Sequence, residues 1–193
     1  MKPVRILVVC TGNTCRSPMA EALLRAEAAA AGVELEVRSA GVAASAGMPI
    51  SRHAREVLRR SGIEHDGVSK PVSKDQVRWA DLILAMTGSH RRALLGAYPE
   101  AAGKLHTLLE YAAGDRLAEL DRLHGEREME RSLGRQPDPG LELRLAELER
   151  ALRGGGDIAD PFGGPLEEYE ASAAEIREAV RAVLRRLSDG SKD

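Results

Sequence analysis

Cys10 and Arg16 are the two residues whose types and spacing point most directly to chemistry. Five residues separate them, so a loop that turns back on itself brings a thiol and a guanidinium to one bound phosphate. The planar fork of arginine grips two oxygens of such an anion. A nearby cation and free N–H groups also favour the thiolate, which is the nucleophilic form of cysteine. The pair therefore predicts a sulfur nucleophile beneath a phosphoryl group.

The segment around this pair runs from an apolar strand through a polar turn into a helix. Residues 5–9 form a nearly continuous apolar run typical of a strand buried on both faces, and Asn13, which tolerates positive φ, lies in the turn. Ser17 precedes Pro18 and is expected to cap the helix, alone or while also donating toward the sulfur. Free N–H groups and the helix dipole at such a junction bind a tetrahedral anion. The predicted phosphate-binding loop contains Thr11, Gly12, Asn13, Thr14, Cys15 and Ser17.

Strands and helices alternate along the remaining chain. Further strands are predicted at about 35–39, 82–86 and 104–107, with helices capped by Ser51 and Ser73 and a long final helix at about 166–187. This alternation predicts an α/β fold with a parallel sheet and right-handed crossovers. Ligands bind at the carboxyl edge of such sheets, where the Cys10 loop would lie.

The stretch between Tyr111 and Asp160 differs from the rest of the chain in its sequence pattern. Two leucine stripes at helical spacing flank the turn at 137–140 and predict a hairpin of two amphipathic helices. The three glycines at 154–156 predict a flexible exit from it. The hairpin is interpreted as a structural or variable insertion, with a lid or docking arm as the alternative.

Composition excludes several classes of protein. A length of 193 residues with 43% apolar residues suits one domain with a real core, and a net charge of −2 gives no basic field for nucleic acid. The two cysteines build neither a disulfide scaffold nor a Cys-x-x-Cys site, and the five histidines form no metal-ligand pattern. No apolar run is long enough for a membrane span. We expect a cytoplasmic protein without metal, nucleic-acid or membrane partner.

The run CTGNTCRSPMA, from Cys10 to Ala20, resembles the phosphate-binding loop of low-molecular-weight protein tyrosine phosphatases. Segments at 39–41, 80–87 and 160–164 resemble later family segments in the same order. The resemblance implies a three-layer α/β sandwich with a central parallel sheet, as a single domain over 1–193 with the helical hairpin inserted at about 114–158. It also implies a phosphocysteine intermediate, phosphorylated proteins as substrates, inorganic phosphate as product and no cofactor.

The resemblance assigns roles to further residues. Asp160, which precedes a proline, matches the family's general acid, which protonates the leaving group and then activates water; Asp157 is interpreted as a solvated loop residue. Thr14 and Phe162 resemble the bacterial protein arginine phosphatase branch, where the threonine favours phosphoarginine and the aromatic ring packs on the guanidinium. In the alternative, Thr14 is a neutral variant and the substrate is phosphotyrosine.

Other interpretations remain beside this one. Cys15 is either a small packed residue or, as the family resemblance favours, a redox partner that bonds reversibly to Cys10 under oxidants. Arsenate reduction would need further cysteines to pass a disulfide onward, and the chain has none beyond Cys15. A non-catalytic phosphate-binding module is disfavoured because a nucleophile, a cation and an acid are all present.

Overall fold

A four-stranded parallel sheet forms the centre of the structure, a computed structural model that describes residues 2–153 and 156–190. Its strands are β1 (Val4–Cys10), β2 (Leu35–Gly41), β3 (Leu82–Ala85) and β4 (Leu105–Thr107), in the spatial order β2-β1-β3-β4. β1 therefore pairs on both sides, with β2 and with β3. The expected parallel sheet is confirmed, and β1 delivers Cys10 to the middle of its carboxyl edge.

Helices connect the strands and cover both faces of the sheet. They are α1 (Arg16–Ala31), α2 (Arg52–Arg60), α3 (Lys74–Trp79), α4 (Gly88–Ala97), α5 (Leu108–Ala112), α6 (Gly114–Ser132), α7 (Pro139–Leu152) and α8 (Leu166–Asp189), with a 3-10 turn at Pro99–Lys104. Within residues 2–153 and 156–190, no helix is long and apolar enough to cross a bilayer.

The alternating side chains of β1 build one core on each face of the sheet. Ile6 and Val8 pack into a cluster with α1, α2, α5 and α8, whereas Leu7 and Val9 pack with α3 and α4. All four side chains are fully buried, because successive strand residues point to opposite faces and each face is covered. The expected three-layer α/β sandwich is confirmed.

Local signals fix the ends of several helices as predicted. Ser51 caps α2 by accepting from the N–H of Ala54, and Ser73 forms a capping box with Gln76 at the start of α3. α1 ends at Gly32, whose φ of 67° is the left-handed conformation that glycine adopts without strain. These caps set where each helix meets the sheet.

The predicted cap of α1 is wrong. α1 begins at Arg16, two residues earlier than expected, and its N-cap is Cys15, which makes no side-chain capping bond. Pro18 is therefore the third residue of the helix, where its missing N–H costs nothing because the first turn has no backbone acceptors. Ser17 lies inside the helix, and its hydroxyl is turned to the cysteine instead.

The hairpin of α6 and α7 has a small core of its own. Leu123, Leu145 and Leu148 are buried together. Arg144 Nε and Nη2 donate to the two carboxylate oxygens of Glu119 at 2.8 and 2.9 Å. Both predicted helices are therefore present; the status of the hairpin as an insertion into a single domain stays a prediction. The predicted exit at residues 154 and 155 lies outside the described residues.

Candidate active site

The loop between β1 and α1 presents its N–H groups on the open side. Its carbonyl groups point outward: those of Cys10, Thr11 and Thr14 accept from the N–H groups of residues 42, 43 and 51 at 2.9, 3.0 and 2.9 Å. In the part of the chain that the structure describes, the N–H groups of residues 11–15 have no hydrogen-bond partner. Such a ring of free donors at a helix start is an anion-binding nest.

Asn13 holds the shape of this loop. It has a φ of 55°, the positive value expected from the sequence. Its side-chain oxygen accepts from the N–H of Lys70 at 2.9 Å, and its nitrogen donates to Ser17 Oγ at 2.9 Å. Gly41, at the end of β2, lets the loop come this close, since a Cβ there would overlap the Thr11 carbonyl oxygen. The nest is therefore preorganised.

The thiol of Cys10 lies at the base of the loop, with 3% of the residue exposed. Its sulfur is 2.9 Å from Ser17 Oγ. The Ser17 oxygen accepts from Asn13, and its own proton has two acceptors within reach, the sulfur and the Ala40 carbonyl at 3.4 Å. A thiolate can only accept, and its charge and shorter distance favour it over the carbonyl as the acceptor when Cys10 is ionised.

The structure brings Arg16 and Asp160 to the same edge of the sheet. Arg16 is 5% exposed; its Nη1 donates to the carbonyl of Ile158 at 3.0 Å, and its Nη2 lies 3.4 Å from Asp160 Oδ2. The Ile158 N–H bonds to the Met86 carbonyl at 2.9 Å, which ties the loop that carries Asp160 to the end of β3. Arg16 and Asp160 are thus in contact beside the loop that starts at Cys10.

Asp157 is exposed, as predicted, but it has a partner. Its Oδ1 accepts from the N–H of Gly88 at 2.7 Å, in the first turn of α4. A carboxylate at that position also interacts favourably with the positive end of the helix dipole. Asp157 therefore anchors the loop that carries Asp160, a role that sequence reasoning did not assign.

His90 is the functional candidate that sequence reasoning missed. It lies in the first turn of α4, is 5% exposed, and its Nε2 is 2.7 Å from Thr11 Oγ1. Burial, and after it the positive charge of Arg16, lower the pKa of His90 from 6.5 to about 4. The sequence placed His90 in an ordinary helical pattern, and nothing in its neighbours signalled a contact with the loop.

The remaining predicted residues lie in the loop after Cys10 and in the segment after Asp160. Thr14 is half-buried, and Phe162 is 74% exposed beyond Asp160. Cys15 is buried with its sulfur 3.4 Å from the hydroxyl of Tyr169. Burial raises the pKa of that hydroxyl. Both cysteines are free thiols, so the two interpretations of Cys15 stay open.

Comparison with known proteins decides the family. Residues 5–125 match the model of the low molecular weight phosphotyrosine protein phosphatases. This chain belongs to that family. The membership suggested by the Cys10 loop and the later segments is therefore confirmed, and so is the enzyme class, a cysteine-dependent protein phosphatase.

Relatives of this phosphatase carry two kinds of name. The chain is 36% identical, over 96% of its length and 97% of the relative, to a protein-arginine-phosphatase of Geobacillus stearothermophilus. It is 42% identical, over 94% of both chains, to a probable low molecular weight protein-tyrosine-phosphatase, EpsP, of Ralstonia solanacearum. The structure of the YwlE arginine phosphatase from Geobacillus stearothermophilus superposes with a TM-score of 0.73, over 97% of this chain and 95% of that one, at 36% identity.

The depressed pKa of His90 predicts how this phosphatase responds to acid. The unfolded chain binds a proton on this histidine below about pH 6.5, and the folded protein only below about pH 4. Between these values the unfolded state holds more protons, so the free energy of unfolding falls as pH falls. We expect the free energy of unfolding of His90→Gln to fall by about 2 kcal/mol less than that of the wild type when the pH is lowered from about 7 to about 4.5. Urea unfolding at both pH values measures this difference.

Other titrating groups do not obscure this comparison. The pKa values of His65 and His106 are also lowered by burial, but their contribution is common to both proteins and cancels. Asp81 and Glu56 have pKa values of about 2, held down by hydrogen bonds from arginines, so their contribution is lost below this pH window. Equal acid sensitivity of the two proteins would contradict the prediction.

Proposed function

We propose that this phosphatase hydrolyses phosphoarginine in proteins, with Cys10 as nucleophile, Arg16 as phosphate-binding cation and Asp160 as general acid. The observation that carries the proposal is the 3.4 Å separation of Arg16 Nη2 and Asp160 Oδ2 beside the nest that holds Cys10. It supports one site in which nucleophile, phosphoryl group and proton donor meet.

The first chemical step transfers the phosphoryl group to sulfur. The Cys10 thiolate attacks phosphorus, an S–P bond forms, and the P–N bond to the arginine breaks with its electron pair on nitrogen. Asp160 delivers a proton to that nitrogen, so the arginine leaves as its ordinary guanidinium cation and the carboxylate is ionised. The amides of residues 11–15 and the Arg16 fork hold the phosphoryl oxygens and stabilise the charge that builds on them.

The second step releases inorganic phosphate. The Asp160 carboxylate takes a proton from water, which attacks the phosphorus of the phosphocysteine. The S–P bond breaks with its electron pair on sulfur, and the Ser17 hydroxyl, 2.9 Å from Cys10 Sγ, stabilises the thiolate that returns. Because the cycle needs a reduced Cys10, it suits the reducing cytoplasm.

Thr14 and Phe162 support phosphoarginine as the substrate. Thr14 lies within the nest; its carbonyl accepts from the N–H of Ser51 at 2.9 Å, and its Oγ1 is 3.7 Å from Cys15 Sγ. Phe162 is 74% exposed two residues after the proposed acid, where an aromatic face is free to stack on a guanidinium plane. The relative named as an arginine phosphatase is consistent with this choice, and the one named as a tyrosine phosphatase supports the alternative.

A paired assay tests the substrate directly. We expect turnover on a phosphoarginine peptide to exceed turnover on the matched phosphotyrosine peptide. Thr14→Ile should lower this preference by roughly tenfold, because one or two contacts in such a site are worth a few kcal/mol at most. The measurement is the ratio of kcat/KM for the two peptides in each protein.

A substitution in the helical hairpin serves as the control for that assay. Leu143→Ile lies on the exposed side of α7 and should leave the ratio unchanged. A wild-type preference for phosphotyrosine would refute the arginine assignment and leave the cysteine mechanism intact. An unchanged ratio in Thr14→Ile would show that Thr14 is not the selector.

Cys15 is proposed as a redox partner of Cys10. Both thiols are buried at the two ends of one loop, and both are free. An oxidant such as hydrogen peroxide would convert the Cys10 thiolate to a sulfenic acid, and the Cys15 thiol would displace water from it to form a disulfide. Reduction by a thiol would then restore the nucleophile.

A further inference from the structure

His90 makes a contact that the proposed mechanism does not use. Its Nε2 lies 2.7 Å from the hydroxyl of Thr11, the first residue of the phosphate-binding loop. Its other ring nitrogen, Nδ1, is buried and has no hydrogen-bond partner in the part of the chain that the structure describes. A buried, half-satisfied histidine beside an anion nest calls for a physical explanation.

The unpartnered nitrogen indicates which tautomer is present. An orphaned buried N–H is rarer and costlier than an orphaned acceptor, so Nδ1 carries the lone pair. The single ring proton therefore lies on Nε2 and is donated to Thr11 Oγ1.

This direction of donation leaves the proton of the Thr11 hydroxyl free. A hydroxyl has one proton to give, and had the histidine accepted it, none would remain for a ligand. Across residues 2–153 and 156–190, Thr11 Oγ1 has no other hydrogen-bond partner. Thr11 is exposed and belongs to the loop whose N–H groups form the nest, so its free hydroxyl is available to an anion that this loop binds.

We propose that His90 is a positioning residue that turns the Thr11 hydroxyl toward the bound phosphoryl group, so that Thr11 adds a side-chain donor to the ring of amides. The inference rests on the proposed function only in that the loop must bind phosphate. It requires neither phosphoarginine as substrate nor Asp160 as acid. His90 acts through Thr11, and its removal should therefore matter only while the threonine hydroxyl is present.

A double-mutant cycle on phosphate affinity tests this dependence. Binding of inorganic phosphate to the full chain is measured by calorimetry for the wild type, Thr11→Val, His90→Leu and the double variant. We expect each single change to weaken phosphate binding about tenfold, and the double variant to be no weaker than Thr11→Val alone. His90→Gln, whose amide N–H reaches the same place as Nε2–H, should stay within about threefold of the wild type.

Kinetics provide a second readout that a merely structural role would not move. The hydroxyl contacts the phosphoryl group in the ground state and in the transition state, so His90→Leu should raise KM with kcat nearly unchanged. His124→Leu is the matched control, because His124 lies in the hairpin, bonded to Glu149 at 3.1 Å. It should change neither the phosphate affinity nor KM.

Three results would overturn the proposal: unchanged phosphate affinity in His90→Leu, full additivity in the double variant, or no rescue by His90→Gln. Thermal unfolding shows whether His90→Leu folds; if it does not, a His90→Gln protein as weak as Thr11→Val overturns the proposal by itself. Phosphate binding with this coupling but without turnover would refute the proposed function and leave the inference standing.

Discussion

Cys10→Ser should abolish turnover while phosphate binding persists. A serine hydroxyl stays protonated at neutral pH, and Ser17, the group nearest the sulfur at 2.9 Å, is a donor rather than a base. The variant therefore keeps the ring of amides and the guanidinium but has no activated nucleophile. We expect kcat to fall by on the order of 10⁴-fold or more, with phosphate affinity within a few-fold of the wild type.

Both quantities are measured on the same preparation, kcat on a phosphopeptide and affinity by calorimetry with inorganic phosphate. Cys15→Ser is the matched control, since it makes the same chemical change at a buried thiol of the same loop. It should retain most of the activity in a reducing buffer. Substantial turnover by Cys10→Ser would refute covalent catalysis at Cys10, and loss of phosphate binding would show that the substitution had damaged the nest.

Asp160→Asn should lower kcat by about 10²- to 10⁴-fold without a comparable rise in KM. The amide has no acidic proton for the leaving nitrogen and cannot take one from water. In the native protein Asp160 Oδ1 accepts from the N–H of Phe162 at 3.1 Å. The carbonyl oxygen of asparagine can accept the same bond, so the loop that carries residue 160 keeps its shape. A fall in kcat with KM nearly unchanged therefore reports chemistry rather than folding or a shift of Arg16, whose Nη2 lies 3.4 Å from the oxygen that the substitution replaces.

The leaving group sharpens this test. A nitrophenolate leaves without protonation, so phosphoryl transfer from p-nitrophenyl phosphate to Cys10 should suffer less from Asp160→Asn than transfer from phosphoarginine. Burst kinetics separate this step from hydrolysis of the phosphocysteine, where the missing base slows both substrates alike. Asp157→Asn is the control and should cost less than about threefold, because its carbonyl can still accept from Gly88. Equal effects of the two substitutions would remove Asp160 from the proposed role of general acid.

Most elements of the fold could be predicted because their signals are local. Residues 6–9 of β1 are apolar on both faces, and this pattern alone predicts a buried strand. Ser51 and Ser73 cap their helices and Gly32 ends α1, through contacts that span a few positions in the chain. The wrong prediction of Ser17 as the cap of α1 also came from a local signal. The serine-proline pair is typical of a helix start, but the helix starts two residues earlier, and the Ser17 hydroxyl contacts the cysteine instead.

By itself, the sequence determined the strand–loop–helix segment and the spacing of Cys10 and Arg16, and with them the chemistry to expect. Only the tertiary structure decided what surrounds that segment. Arg16 bonds to a carbonyl 142 positions away, and Thr11 contacts His90 across 79 positions. Helix caps and strand patterns depend on neighbouring residues, whereas these contacts exist only because packing on a shared sheet edge brings distant loops together.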